Sequence, residues 1–450
     1  MCRRVIIFIL VIIPIIHVYG GNELTYTIVE QTSYELYSQQ HWDELIRFGK
    51  KAIHNHIDYY YLRMRMGTAC FELERYLSAA IHFEQAIAFN PIEITGHIYL
   101  FYCYLYTDNL VRADKIKGKL PASYSKKLPE VKNKGLRFIN FEAGPVLNNA
   151  GEKAKNIPID GKDDIYGEID LPENGYYANV GFKYAATRNL SFYFGFSDIL
   201  LRKQKKIEIL DQVTVDDHYQ LNEYQSYGNV TIRFGDRYTL TSALNYSYYN
   251  YSTVYAVYDS IINTYIYNRR AVPVNNYLVS LALTRHDHLI RTSVFSTVSH
   301  LNSDQQILAG FGLIFFPLGS DRFYTSSTLM DFYQENKNSL IFDQMLGWFF
   351  TKGLWGEVKV TLGRMRNYSE YNAFIVYDIP DTIKFKCGLS LNALLRKHLH
   401  ISVNYKFMER EGKYLAYERR NPSPYSRPLP AVKTYSYSTH IITGGFIWNF

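Results

Sequence analysis

The sequence predicts an α+β chain of two unlike parts: an N-terminal α-solenoid, then an antiparallel transmembrane β-barrel of 14 strands. Three observations carry this. The last stretch alternates Phe446, Trp448 and Phe450 with Gly445, Ile447 and Asn449, and a period of two puts the three aromatics on one face. The chain holds 42 Tyr, 27 Phe and 4 Trp at a mean hydropathy of only -0.20. That suits strands with an apolar outer and a polar inner row, not hydrophobic helices. Finally, the hydrophobic period changes from helical to strand-like between residues 121 and 135, which places the boundary between the parts.

The N-terminus comes first in chain order. Residues 1–20 combine Arg3 and Arg4 with an apolar run from Val5 to Ile16 and a candidate cleavage site after Gly20, with Val18 at its third position back. This is the form of a secretory signal. No segment approaches the roughly 20 consecutive apolar residues of a membrane helix. Cys2 lies before the apolar run, away from where a lipid-attachment cysteine would stand. Cys70, Cys103 and Cys387 remain, too few for a disulfide framework and without metal-ligand spacing. Cys70 and Cys103 read as core thiols, with a disulfide between repeats as the alternative.

Residues 23–120 form the expected helical domain. Gly67, Tyr76, Ala79, Phe83, Ala86 and Pro91 sit on a 34-residue frame. Trp42, Leu45 and Ala52 stand one repeat upstream, and Leu110, Ala113 and Leu120 one downstream. Gly67 and Ala79 permit close helix approach, Phe83 and Ala86 fill the seam, and Pro91 stops the second helix. The segment resembles tetratricopeptide repeats, about three of them, near the minimum for a stable stack. That resemblance implies a concave face made by the first helix of each pair. It would carry Tyr34 and Tyr37, then Tyr61, Met64, Thr68 and Phe71, then Ile98, Tyr102 and Tyr106, a surface suited to a periplasmic protein or peptide segment. The plainer alternative is that several of these residues pack between repeats or against the barrel. Residues 121–134, with Pro121, Pro129 and several Lys, read as a linker.

Residues 135–450 read as the barrel. Tight reversals are expected at 187–189, 235–237, 285–287, 319–321, 351–353 and 396–398, where Gly, Asn and Asp recur. Longer connections are expected at 149–174, 203–219, 249–273, 300–305, 334–338, 366–381 and 410–430. Seven long connections alternating with six short ones give 14 strands, with both barrel ends on the periplasmic side beside the helical domain. A missed hairpin would change the count to 12 or 16. The alternation shows in Phe192, Phe194 and Phe196 against Tyr193, Gly195 and Ser197. It shows again in the row Ile383, Phe385, Cys387, Leu389 and Leu391 against Lys384, Lys386, Gly388 and Ser390. A soluble sandwich would bury such a row against a second sheet; persistence over roughly 300 residues behind a secretory start favours lipid.

The inner rows supply candidate lumen residues: Glu142, Arg233, Glu357, Lys359, Lys384, Lys386, His400 and Lys406. In an open lumen these would focus an anionic solute or polymer. In a plugged one they would pair with carboxylates in a rigid network. No catalytic set or metal site declares itself, and no cofactor is expected. His286 and His288 read as turn residues, and Gly310 to Gly312 lacks the helix that phosphate binding requires. The Tyr-rich passage from Tyr246 to Tyr258 reads as an outer aromatic girdle rather than a sugar-stacking surface. The formal charge of +7 is too small to indicate nucleic acid.

The terminal Phe450 resembles the closing residue of bacterial outer-membrane barrels, where it belongs to the signal read by the barrel-assembly machinery. Helical repeats joined to such a barrel resemble bacterial exopolysaccharide exporters and related secretion components. The resemblance implies an outer-membrane transport or export component, not an enzyme, whose periplasmic repeats recruit a protein partner near the barrel mouth. The alternative expectation is a noncatalytic envelope-assembly or anchoring protein with a closed or plugged barrel.

Overall fold

The computed structural model describes residues 24–132, 134–154, 164–209, 212–259, 261, 264–418 and 429–450. The segment assigned as a signal lies outside these residues. The helical part comprises α1 (Tyr26–Ser38), α2 (Trp42–His54), α3 (Tyr60–Glu72), α4 (Tyr76–Phe89), α5 (Ile94–Tyr106) and α6 (Leu110–Lys119). Tyr26, Tyr60 and Ile94 begin the first helices of three successive pairs, and Trp42, Tyr76 and Leu110 begin the second, so both series keep the 34-residue period. The turn inside each pair reverses through a residue with positive φ, at Gln40, Glu74 and Asp108.

Packing explains the residue types on that frame. A Cβ on Gly67 would lie 2.7 Å from the Phe83 ring, so glycine is what lets α3 meet α4. Phe83, Ala79 and Ala86 are fully buried. Cys70 and Cys103 are free thiols in the same core. A four-residue helix, α7 (Ala122–Ser125), interrupts the linker.

The barrel strands are β1 (Gly135–Asn148), β2 (Asp164–Ala185), β3 (Leu190–Ile209), β4 (Gln212–Phe234), β5 (Tyr238–Asp259), β6 (Thr264–His286), β7 (Ile290–Leu301) and β8 (Asp304–Phe315). They continue through β9 (Phe323–Gln334), β10 (Lys337–Thr351) and β11 (Leu354–Met365). A small separate pair, β12 (Tyr368–Ser369) and β13 (Val376–Tyr377), is not part of the wall. Then β14 (Thr382–Arg396), β15 (Leu399–Glu418) and β16 (Leu429–Asn449) complete it. The wall is one closed antiparallel barrel of 14 strands. Pairing of β1 with β16 closes it, Phe141 opposite Phe446 and Ile139 opposite Trp448. Closure leaves no strand edge for lipid to desolvate.

An apolar outer row runs round this wall. Phe194 and Phe196, Val279 and Leu281, Leu389 and Leu391, and Phe446 and Trp448 are all exposed, while Asn179, Gln225, Asn245 and Ser280 are buried inside. Apolar out and polar in is the arrangement of an outer-membrane barrel, with the helical domain facing the periplasm.

Several connections differ from expectation. Residues 164–174, 203–209 and 212–219, most of 249–273, and 410–418 are strand, not loop. These hairpins outrun the roughly 9 to 11 residues needed to span the membrane and project beyond it. The passages at 300–305 and 334–338 shrink to two-residue turns, because Asn302, Ser303, Glu335 and Asn336 all take positive φ, the geometry of a tight hairpin. Past the rim, Tyr414 to Glu418 on β15 pair with β2, bridging the β1–β16 junction. Beneath that bridge Ile169, Leu171, Tyr414, Tyr435 and Tyr437 form a small core with Ala150 of α8 (Ala150–Ala154).

Candidate functional site: a segment folded into the lumen

Residues 366–381, expected to be an external loop, turn into the barrel. Their apolar run, Phe374, Ile375 and Val376, has no reason to sit in water. The Phe374 ring meets Tyr227 edge-on at 5.0 Å and Tyr193 at 5.8 Å. Ala373 and Val376 pack on Leu278 and Leu301. At the tip Asn372 and Ala373 adopt positive φ, and Asn245 Nδ2 donates to the Ala373 carbonyl at 2.8 Å. A non-glycine residue held there costs on the order of 1 kcal/mol or more, so the wall contacts must hold the tip.

Two polar clusters pin the segment to different parts of the wall. On one side Glu370 accepts from Lys386 Nζ at 2.6 Å, Tyr377 Oη at 2.7 Å and Lys359 Nζ at 3.0 Å. Lys359 also pairs with Asp343 at 2.9 Å. Lys386 lies over the rings of Tyr377 and Tyr368, 5.1 and 5.6 Å from their centroids. On the other side Asp378 accepts from Asn276 Nδ2 at 2.9 Å. Asn302 donates to Asn367 Oδ1 at 2.8 Å, and Asn367 donates in turn to Asp304 at 3.2 Å. The segment thus crosses the interior from β10, β11 and β14 to β3 through β8.

The expected lumen residues distribute as follows. Lys359 and Lys386 belong to the Glu370 cluster. Lys406 lines the adjoining cavity, of about 220 Å³, with Glu357; Glu357 also accepts from Tyr324 Oη. Glu142 accepts from Asn404 Nδ2 at 3.0 Å and from Thr443 Oγ1. His400 packs edge-on against Trp355 at 5.7 Å. Arg233 lies far from these, in a crevice beneath the helical domain with Arg112, His286 and Arg291. Lys384 stands apart because a bulge between Ile383 and Phe385 leaves it without a cross-strand partner. It pairs with Glu411, which also holds Arg364 at 3.3 Å. The same bulge takes Ile383 out of the apolar outer row and into a buried cluster with Met408 and Tyr368.

The helical domain docks on the short turns through α4 and α6, the second helices of its second and third pairs. Leu77 and Ser78 N–H groups at the start of α4 donate to the Gly319 carbonyl at 3.0 and 3.1 Å, so a barrel turn satisfies donors that a helix leaves open. Gly319 has φ +70, and a Cβ there would overlap Ser78. His288 Nε2 lies 2.8 Å from Glu84 Oε2. Arg112 Nε donates to the Asp236 carbonyl at 2.9 Å, and Lys115 pairs with the Asp236 carboxylate at 2.7 Å. Glu74 binds Lys352 at 2.6 Å and also Arg322. Burial pushes the Glu84 carboxyl up, but His288, Tyr104 and Arg112 outweigh it and hold the group below the usual carboxylate range.

The nine residues expected on the concave face divide. Tyr34, Tyr61 and Tyr106 are 59%, 60% and 49% exposed. Arg65 lies over the rings of Tyr34 and Tyr61 and is held by Glu30 at 2.6 Å. Tyr37, Met64, Phe71 and Tyr102 are partly buried against the domain core, and Ile98 is half-buried. Thr68 is buried, its hydroxyl donating to the Met64 carbonyl at 3.0 Å.

Sequence reasoning missed Glu370, Asp378 and Phe374. The available signal was the apolar run inside a polar connection. Among the described residues no group of three or more metal-ligating side chains is found.

No protein-family model matches the chain, and no curated protein matches it. Solved structures do superpose on it. The Pseudomonas putida toluene transporter TodX is 9% identical, with 72% of this chain and 91% of that one covered at a TM-score of 0.43. A Pseudomonas aeruginosa FadL homologue is 8% identical, covering 71% and 91% at 0.44. A bacterial polysaccharide outer membrane secretin is 9% identical, covering 71% and 100% at 0.33. Likenesses this distant carry no argument about what this chain transports or binds.

Proposed function

We propose that the chain is an outer-membrane transport or export component whose lumen is gated by residues 366–381 and whose helical domain receives a periplasmic protein segment. The observation that carries the reading is the attachment of one short segment to opposing parts of the wall, with exchangeable polar contacts at Glu370 and Asp378 on either side of its apolar tip. Such contacts can be exchanged for contacts to cargo at small net cost. Docking through α4 and α6 leaves Tyr34 and Tyr61 of α1 and α3 exposed for the partner, with Arg65 between them.

Conductance of the full chain in planar bilayers tests the gate. Replacing residues 367–380 by a short Gly-Ser linker is expected to raise conductance at least tenfold. Equal conductance would remove the gating reading. A photo-crosslinker at Tyr61, in the native envelope, is expected to capture one discrete periplasmic protein that a crosslinker at the exposed Ile92 does not.

The crossing segment also favours a second reading, an envelope-anchoring protein with a permanently closed barrel. Low conductance after segment replacement, with the Tyr61 crosslink retained, would select it.

A further inference from the structure

Basic side chains gather where the helical domain covers the periplasmic turns. Arg233 of β4 and Arg291 of β7 line the crevice there, a cavity of about 200 Å³ whose other walls include Arg112, Arg237, His286 and the acids Asp108, Asp236 and Asp287. Lys183 of β2 and Arg137 of β1 stand close enough for their charges and that of Arg233 to act on one another, and Arg233 acts in turn on Arg291.

Most charges of the crevice are already matched. Asp236 binds Lys115 at 2.7 Å, and Asp287 binds Arg285 at 2.9 Å and Arg237 at 3.2 Å. Arg112 donates to the Asp236 carbonyl at 2.9 Å and lies 3.9 Å from Glu84. Arg233, Arg291 and Lys183, by contrast, form no ion pair and no side-chain hydrogen bond among the described residues. Arg291 lies over the Phe316 ring, 5.0 Å from its centroid, and Arg137 donates to the Lys132 carbonyl. Two carboxylates face this group without ion-pair contact, Asp108 in the turn between α5 and α6 and Asp321 in the turn between β8 and β9. Four cations against two carboxylates leave an excess of two positive charges. Arg233, Arg291 and Lys183 are part-buried. Part-buried cations without a partner forfeit solvation, and like charges in a crevice repel. Both costs fall when a dianion enters.

We propose that this crevice binds a phosphoryl dianion, either inorganic phosphate or the phosphate group of a small ester, between Arg233 and Arg291. The donors select the ion. Each guanidinium presents five N–H donors in a fixed fork that matches phosphate oxygens. Here two forks approach from strands three places apart in the barrel order, so they meet a tetrahedral ion on different sides. A planar monocarboxylate offers two oxygens and one charge, too few for both forks and for the excess. Space is not limiting, since a cavity of about 150 Å³ holds benzene, a larger body than phosphate. The site goes beyond the gating reading. It stands at the periplasmic end, whereas the crossing segment enters from the opposite end, so either can fail alone.

Equilibrium dialysis of radiolabelled inorganic phosphate against the full chain in lipid nanodiscs tests the site, in about 0.15 M NaCl, where exposed charges more than about 8 Å apart are largely screened. Saturable binding at one ion per chain is expected, at least tenfold weaker in Arg233→Gln and in Arg291→Gln. It should be unchanged in Lys397→Gln, which removes an exposed cation from another periplasmic turn. Asp108→Asn keeps a residue suited to the positive φ there and removes a facing negative charge. Binding should then tighten at least threefold, an effect that a merely structural role for Asp108 would not give. Acetate should compete at least tenfold less well than unlabelled phosphate. Glycerol 3-phosphate separates the two sources: competition at least equal to that of phosphate assigns the site to an ester, and weaker competition assigns it to the free ion. Heat-dependent gel mobility reports whether each variant keeps a closed barrel. No saturable binding to the wild-type chain, undiminished binding to a closed-barrel Arg233→Gln or Arg291→Gln variant, an equal loss in Lys397→Gln, unchanged or weaker binding in Asp108→Asn, or equal competition by acetate would overturn the proposal.

Discussion

Nε2 of His288 lies 2.8 Å from Oε2 of Glu84, joining α4 to the turn between β6 and β7 across 204 residues of sequence. Glu84 also accepts from Tyr104 Oη and lies 3.9 Å from Arg112. It is therefore one of the residues, with Glu74 and Lys115, through which the helical domain and the barrel turns share a charge. Glu84→Gln is expected to loosen docking, seen as faster amide exchange at the start of α4 while exchange in the barrel strands stays unchanged. Unchanged exchange in α4 would show that the Gly319, Asp236 and Glu74 contacts suffice without it.

The sign of the pH effect follows from the depressed Glu84 pKa. Its contribution to docking is present above the ordinary carboxylate range and is lost as pH falls through its lower docked value. A cysteine pair placed across the α4 and 319–321 contact should report constant proximity from pH 8 to 5. Separation already complete at pH 6 would contradict this assignment.

Gly319 combines positive φ with contact to Ser78. Gly319→Ala should strain the turn and push α4 away, lowering docking with little effect on barrel assembly. Gly319→Ala combined with Ser78→Gly should recover part of the loss, since only the steric component is relieved. The measurement is the same α4 exchange protection.

His82 sits in the helical domain with its Nδ1 3.2 Å from Arg63 Nη1. Burial pushes its pKa down to about 4, and the Arg63 charge adds to that. The unfolded domain then binds a proton that the folded one excludes between about pH 6.5 and 4. Helical stability should fall across that window by up to about 3 kcal/mol, read as thermal loss of helical circular dichroism in the full chain. His82→Gln should flatten the profile.

Glu370 is the only carboxylate that the buried Lys386 contacts among the described residues. Glu370→Leu leaves that ammonium uncompensated, a change that typically costs about 3 to 5 kcal/mol. The crossing segment should detach, raising its protease sensitivity in detergent. Glu370→Leu with Lys386→Met should restore protection. Protection that survives the single substitution would mean the Asp378 and Asn302 contacts hold the segment unaided.

The sequence by itself determined the two-part architecture, because each signal is local. A 34-residue frame survives in Gly67, Ala79 and Phe83, and alternation survives in Phe194, Phe196, Phe446 and Trp448. Counting reversals reached the 14 strands of the wall. Only the tertiary structure decided where residues 366–381 go, since Glu370 finds Lys386 and Phe374 finds Tyr227 only once the barrel closes. It also decided which charges share the lumen. One bulged residue exchanges inner and outer rows, and this moved Lys384 to Glu411 and Ile383 inward without any mark in composition. The docking of Glu84 on His288 and of α4 on Gly319 belongs to the same class. Period and residue type record which face is apolar, whereas the partner of a single polar group depends on distances that exist only after the chain has folded.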